Sequence, residues 1–280
     1  MAEASQPKYI LGHDQSEIDR LMVQSAVMRP FTERLFKAAG MSTGMRVLDL
    51  GCGPGDVSML AANLVGPSGS VIGIDRSLAV ISIAKRRGEQ AGLSHVSFKS
   101  LAFEKFADPD VFDCVVGRCV LMYQSDPTEF LRAAARFVRP GGVIALHELD
   151  FASNLSSCPP VWAWNALGSM IGAAFRDALP HYDLANQMIK CFADAGLPTP
   201  ELFRETPVGG GEQSPLYAWV EKTLRSVWPR LVEMGVATAE GFPSDMTMEK
   251  VKTAIVRARS QIEGPAQYAR GSRSEFSAPT

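Results

Sequence analysis

Gly51, Gly53 and Gly55 stand at alternate positions of Gly51-Cys52-Gly53-Pro54-Gly55-Asp56, directly after the apolar run Val47-Leu48-Asp49-Leu50. A second run, Val71-Ile72-Gly73-Ile74, ends on Asp75. A strand that stops on glycines and turns into a helix lets backbone approach a ligand, and an acid about 20 residues further on accepts ribose hydroxyls. The chemistry implied is the binding of a nucleoside by Gly51, Gly53, Gly55 and Asp75. Position 56 narrows which one. A dinucleotide fingerprint needs a small residue there, whereas Asp56 would repel a pyrophosphate seated on the helix N-terminus. A nicotinamide dinucleotide is therefore disfavoured. The glycines also suit a tight turn with close helix–sheet packing, a role compatible with the first.

Such a loop needs a scaffold, and the apolar periodicities supply one. Strands are predicted at 46–50, 70–74, 96–99, 111–116 and 143–149, with helices between them at 56–65, 78–91 and 127–138. Alternation of this kind means an α/β fold with a doubly wound, mostly parallel sheet. One or two helices over 16–39 precede it, and a helix at 183–195 with a sixth strand at 201–207 follows. Two stretches exceed a minimal sheet of this type, 152–182 and 214–261. Both read as helical, and both leave from the side of the sheet where open α/β sheets bind ligands, so they are expected to form a lid. The expected divisions are an arm at 1–44, a cofactor-binding core at 45–150, lid segments at 151–182 and 214–262, core completion at 183–213 and a weak last strand with a disordered tail at 263–280.

Four motifs now stand in order: the strand and loop from Val47 to Asp56, the strand-end Asp75, Phe112-Asp113-Cys114-Val115-Val116, and Arg139-Pro140-Gly141-Gly142. Together, over about residues 40–150, they resemble class I S-adenosylmethionine-dependent methyltransferases of the small-molecule branch. The resemblance implies a Rossmann-like sheet, S-adenosyl-L-methionine as cofactor, and a final antiparallel strand for which 266–270 is the sole stretch that fits. It implies that Asp49 holds the loop and the cofactor's amino group, that Arg76 lies along the adenine, and that Gly117 and Arg118 meet the methionine portion. Leu101 stands where many relatives have Asp, which leaves adenine recognition to Ala102 and Phe103. Tyr9, in the arm before the core, would fold over the cofactor. Plainer roles remain open beside these: a structural clamp for Asp49, a solvated surface side chain for Arg76, core packing for Phe103, a lid salt bridge for Arg118 and a strand-like arm for Tyr9.

On the acceptor side, His147 and His181 are the two residues that could serve as a base, since imidazole titrates near neutral pH. A structural histidine is the competing reading of His147. Tyr123, Phe151, Trp162 and Trp164 are read as substrate-binding. The Asn/Asp-Pro-Pro-Tyr/Phe signature of enzymes that methylate exocyclic amines of DNA bases is absent after the fourth strand. With four scattered histidines and no acidic cluster after the fifth strand, no metal is expected.

Composition sets the remaining bounds. The chain has 280 residues, 46% of them hydrophobic, which is ample for a buried core. A formal charge of -2 and the lack of any long basic run do not indicate nucleic acid. Five cysteines without CxxC spacing argue against a disulfide framework and for a reducing, cytoplasmic setting. No apolar run approaches a membrane span, and the start of the chain lacks the apolar core of a leader. The expected function is methyl transfer to an oxygen or nitrogen of a small, apolar or aromatic molecule, by a chain compatible with a homodimer. The alternatives are a non-catalytic cofactor-binding regulator and a protein methyltransferase.

Overall fold

A computed structural model describes residues 15–151, 155–241, 243 and 246–273. The chain divides into two compact units. One comprises residues 29–148, 184–204 and the chain from 268, and the other comprises the chain up to 28, 149–183 and 205–267. The expected arm at 1–44 is described from residue 15. Its single helix α1 (Gln15–Ala38), which carries Pro30 inside, contributes residues to both units.

The first of these units holds the sheet. After α1 come β1 (Arg46–Leu50), α2 (Asp56–Val65), β2 (Ser70–Asp75), α3 (Leu78–Gln90), β3 (Val96–Ser100), β4 (Phe112–Arg118), α4 (Pro127–Ala135) and β5 (Val138–Leu149). Next in the chain are β6 (Ser156–Cys158), α5 (Trp162–Ala178), α6 (Met188–Asp194), β7 (Glu201–Glu205), β8 (Val208–Gly210), α7 (Pro215–Glu233), α8 (Met248–Ala258), β9 (Gln261–Glu263) and β10 (Gln267–Arg273). Strands run β3-β2-β1-β4-β5-β10-β7 across the sheet, and β3, β2, β1, β4 and β5 pair in parallel. The expected α/β, doubly wound architecture is present. Its centre is a continuous apolar run because helices cover both faces: Val47, Leu48, Cys114, Val115 and Val116 are fully buried. Leu60, Ala61 and Val65 of α2 and Leu35 and Phe36 of α1 pack on Val47, Val71 and Val116, while Ile81 and Ala84 of α3 pack on Phe98.

The strand order reverses between β1 and β4, since β1 pairs in parallel with β2 on one side and with β4 on the other. Loops leaving β1 and β4 therefore diverge there and open a crevice at the strand ends. β10 takes the place between β5 and β7, where a last strand was expected, and it runs to Arg273, beyond the predicted limit at 270.

The other unit pairs α5 with α7 and adds α8. It also contains a three-stranded antiparallel sheet, β6-β9-β8, of which β6 falls inside a stretch predicted as helical and β9 at the end of the other. Each of these strands has three residues, too few for a period to register. A buried polar chain braces α1 here. Arg20 donates to both carboxylate oxygens of Glu17 at 2.7 and 2.6 Å and to Oε1 of Gln24 at 2.6 Å. Among the described residues no helix is long and apolar enough to cross a membrane.

Candidate functional site

The crevice is built by the ends of four neighbouring strands, β3, β2, β1 and β4. Gly51, Gly53 and Gly55 all have left-handed backbone, with φ of 63°, 51° and 88°, a conformation glycine adopts without steric cost. The loop is thus wound so that Gly55 caps α2 and donates to the carbonyl of Cys52 at 2.9 Å. The three glycines differ in what surrounds them. A methyl group on Gly55 would strike Phe98 and Ala84, and one on Gly51 would strike Val120 Cγ2 at 2.9 Å, whereas at Gly53 it would meet nothing within 4 Å. Gly55 therefore serves helix–sheet packing, and Gly53 presents bare backbone to open space, as a cofactor cradle requires.

Asp75 ends β2 beside this loop. Its Oδ2 accepts the N–H of Gly53 at 3.1 Å and its Oδ1 accepts the N–H of Ser77 at 2.9 Å. Each carboxylate oxygen retains a lone pair, so the group is oriented by backbone and still able to accept two ribose hydroxyls. Around it the cleft is lined by Leu50, Gly51 and Ile74, by Arg76, by Leu101, Ala102, Phe103 and Glu104 after β3, and by Val120, Gln124 and Phe130. The expected residues Gly51, Asp75, Arg76, Ala102 and Phe103 are brought together here. Phe103 also packs on Phe130, with ring centroids 4.8 Å apart, so its core role and its place in the cleft coexist.

Asp49 lies one turn deeper and is buried. Its Oδ2 accepts the hydroxyl of Ser58 at 2.6 Å, and its Oδ1 has no partner among the described residues. Burial pushes its carboxyl up to about 7, against the opposing pull of Ser58 and of the Arg118 charge. Gly117 is held to glycine by packing, since a methyl group there would strike Val120 Cγ1 at 2.7 Å. Arg118 donates to the hydroxyl of Thr32 at 3.4 Å.

The other expected residues are placed as follows. His147 is fully buried, with Nδ1 2.9 Å from Thr32 Oγ1, and it does not line the cleft, which is the arrangement of a packed structural histidine. Trp162 is 69% exposed at the start of α5 and Trp164 is fully buried, edge-on to Tyr217 with centroids 6.0 Å apart; both belong to the other unit. Phe151 stacks on Phe175 at 3.8 Å and belongs to the other unit, as does the partly buried His181. Tyr123 closes a short turn, Leu121–Tyr123, and leaves the lining to Val120 and Gln124. Asp56 is paired with Arg87 at 2.6 Å, and the same guanidinium grips the carbonyl of Pro54. Its repulsion of a pyrophosphate is therefore weaker than its charge alone suggests. Tyr9 lies outside the described residues.

Two contributors are not among the expected site residues. Gln124 donates to the carbonyl of Val120 at 2.9 Å, fixing the residue against which both Gly51 and Gly117 pack. Glu148, fully buried, accepts the N–H groups of Val120 and Leu121 at 3.0 and 2.9 Å. Burial pushes its carboxyl up to about 7, although those N–H groups pull the other way. The loop they brace turns on Cys119, whose φ of 54° is uncommon outside glycine. Nothing in the residue types of Cys119-Val120-Leu121-Met122 signals that turn. Among the described residues no group of three or more His, Cys, Asp or Glu is placed to hold a metal ion.

Comparison with known proteins places this geometry. An arsenite methyltransferase of Aquipseudomonas alcaligenes is 35% identical over 113 residues, which are 38% of this chain and 33% of that protein. The ubiquinone/menaquinone biosynthesis C-methyltransferase UbiE of Pseudomonas savastanoi pv. phaseolicola is 34% identical over 118 residues, 41% of this chain and 46% of that protein. The chain thus spans less than half the length of either relative. The crystal structure of the YcgJ protein of Bacillus subtilis matches with a TM-score of 0.57 at 14% identity, over 88% of this chain and 98% of that one, and it shares the fold. A family model described as methyltransferase domain matches residues 41–189. Since that match takes in just over half the chain and every strand end that builds the cleft, this chain belongs to the methyltransferase-domain family, and S-adenosyl-L-methionine is its expected cofactor.

Proposed function

We propose that this chain transfers the methyl group of S-adenosyl-L-methionine to an oxygen or nitrogen of a small apolar or aromatic molecule. The observation that carries the reading is the tie between Asp75 and Gly53, which presents a ribose acceptor and bare loop backbone side by side at the switch point of the sheet. Asp75 would hold the ribose, Ala102 and Phe103 the adenine, and Asp49 with the Gly51 to Gly55 loop the amino-acid end. The cofactor supplies a methyl group already activated by a sulfonium. What remains for the protein is to fix the acceptor in line and exclude water, and orientation of that kind is worth about 7 to 11 kcal/mol. A general base adds roughly 10² to 10⁴-fold, about 3 to 5 kcal/mol, so the smaller term can be dispensed with.

The relatives are named for arsenite and carbon methylation, so kinship leaves the acceptor atom open. A phenolate or an amine brings its own lone pair, whereas a carbon acceptor must first lose a proton to a base. The test is calorimetry with S-adenosylmethionine and its demethylated product, followed by transfer of labelled methyl to a panel of phenols, amines, carbon acids and arsenite. Micromolar binding with transfer to phenols or amines is expected. Binding without any turnover would make the chain a cofactor-binding regulator, and transfer confined to carbon or arsenic would refute the choice of acceptor atom.

A further inference from the structure

The register of the central strands sets two opposite charges on one face at the strand ends. Asp49 of β1 is level with Val116 of β4, so Arg118, two residues on, projects from the same face as Asp49, one step nearer the crevice. His147 of β5 is level with Arg118 and shares that face. The two charges are complementary, yet they do not pair. Asp49 Oδ1 is buried without a partner among the described residues. Arg118 is partly buried, and no carboxylate of the described residues forms an ion pair with its guanidinium, whose hydrogen bond there goes to Thr32. Burial raises the Asp49 carboxyl and the Arg118 charge works against it, so each feels the other's field. Two such groups left open side by side suit a zwitterion, with its ammonium toward Asp49 and its carboxylate toward Arg118.

A free arginine side chain has many rotamers, and one that is to receive an anion gains from being set beforehand. Thr32 does this. It is fully buried on α1, and Leu35 and Phe36, three and four residues on, pack with Val47 and Val116 and hold this turn of the helix against the same face. Its Oγ1 lies 2.9 Å from His147 Nδ1 and accepts from Arg118 Nη1 at 3.4 Å. One hydroxyl carries a proton and two lone pairs, enough for both contacts. The contact with His147 fixes the Thr32 hydroxyl, and the hydroxyl in turn fixes the guanidinium.

We propose that Thr32 is a positioning residue for cofactor binding, aiming Arg118 at the carboxylate of S-adenosyl-L-methionine. The assignment rests on the proposed use of that cofactor. It is tested by calorimetry on the full chain with S-adenosylmethionine and with its decarboxylated form, which keeps the ammonium, the sulfonium and the nucleoside. The unaltered chain is expected to prefer the carboxylated ligand. Thr32→Val has the same shape without the hydroxyl. It should bind S-adenosylmethionine about five-fold more weakly, the worth of one net hydrogen bond, and the decarboxylated form as before. Thr32→Ser should restore the preference, and Arg118→Met should abolish it. A residue that only supported the fold would weaken both ligands together. The proposal is overturned if Thr32→Val weakens both alike or neither, or if Arg118→Met keeps the preference. Binding of neither ligand by the unaltered chain would refute the cofactor itself, and this assignment with it.

Discussion

Asp75 accepts the backbone N–H of Gly53 across the crevice at 3.1 Å, so the residue that ends β2 and the middle glycine of the loop after β1 form one rigid element. Removing the carboxylate therefore does two things: it takes away the ribose acceptor and it frees the loop. Asp75→Ala is expected to weaken binding of S-adenosylmethionine by about 1.5 to 3 kcal/mol, the range for hydrogen bonds to a charged group. Calorimetry on a variant shown to be folded by circular dichroism checks this. An unchanged dissociation constant would reduce Asp75 to a turn cap.

Stability should fall as pH rises toward neutrality. Asp49 and Glu148 are held at about 7 in the folded protein, up from 3.8 and 4.5. Between about pH 4.5 and 7 the folded state therefore binds more protons than the unfolded state, and the slope of unfolding free energy with pH is negative. The contribution is fully present below the unfolded values and is lost as pH passes through 7. For Glu148 alone it is on the order of 3 kcal/mol. Glu148→Gln keeps an oxygen for the N–H groups of Val120 and Leu121 but cannot ionise. Denaturant titrations from pH 5 to 8 should show a flatter profile for this variant, and parallel profiles would place the ionisation elsewhere.

What could be read in advance follows from where the physics is local. The bounds of β1 and α2 match the sequence pattern because both faces of β1 are covered and the glycines punctuate the turn between them. Asp75 was legible for the same reason, as a charge closing an apolar strand. Val120, Gln124 and Glu148 were not, because the left-handed turn at Cys119 decides which of them meets the cleft, and that turn is fixed by partners in β5 such as the carbonyl of His147, which accepts the Cys119 N–H at 2.8 Å. Trp162 and Trp164 were grouped together although they stand two apart on a helix, where side chains point to opposite sides. One is exposed and the other buried accordingly.

The unpaired hydroxyl of Thr223 should also register in stability. Thr223→Val replaces a buried oxygen that has no partner among the described residues by a methyl group of the same shape. A gain of about 1 kcal/mol is expected, visible as a higher midpoint in urea with an unchanged slope. A loss of stability would mean that the hydroxyl is already satisfied within the fold.

Two glycine substitutions should separate cofactor binding from folding. At Gly53 the added methyl group meets nothing within 4 Å, so the penalty to folding is that of a left-handed residue alone, about 1 kcal/mol. The methyl group projects into the open side of the loop, where the cofactor would approach the backbone. Gly53→Ala should therefore remain folded and lose most of its affinity for S-adenosylmethionine. At Gly117 the backbone is ordinary, but the methyl group would lie 2.7 Å from Val120 Cγ1 and 3.3 Å from the carbonyl oxygen of Leu50. Gly117 lies near the end of β4 but is paired on both sides, with Leu50 of β1 and Leu146 of β5, so a shift there strains the pairing to both strands. Gly117→Ala should cost about 1 to 3 kcal/mol of stability, the range for overpacking. Thermal melts and cofactor titrations on the two variants side by side check the contrast. If Gly53→Ala bound the cofactor as tightly as the unaltered chain, the loop would be a turn and nothing more, and the cleft beside Asp75 would need another occupant.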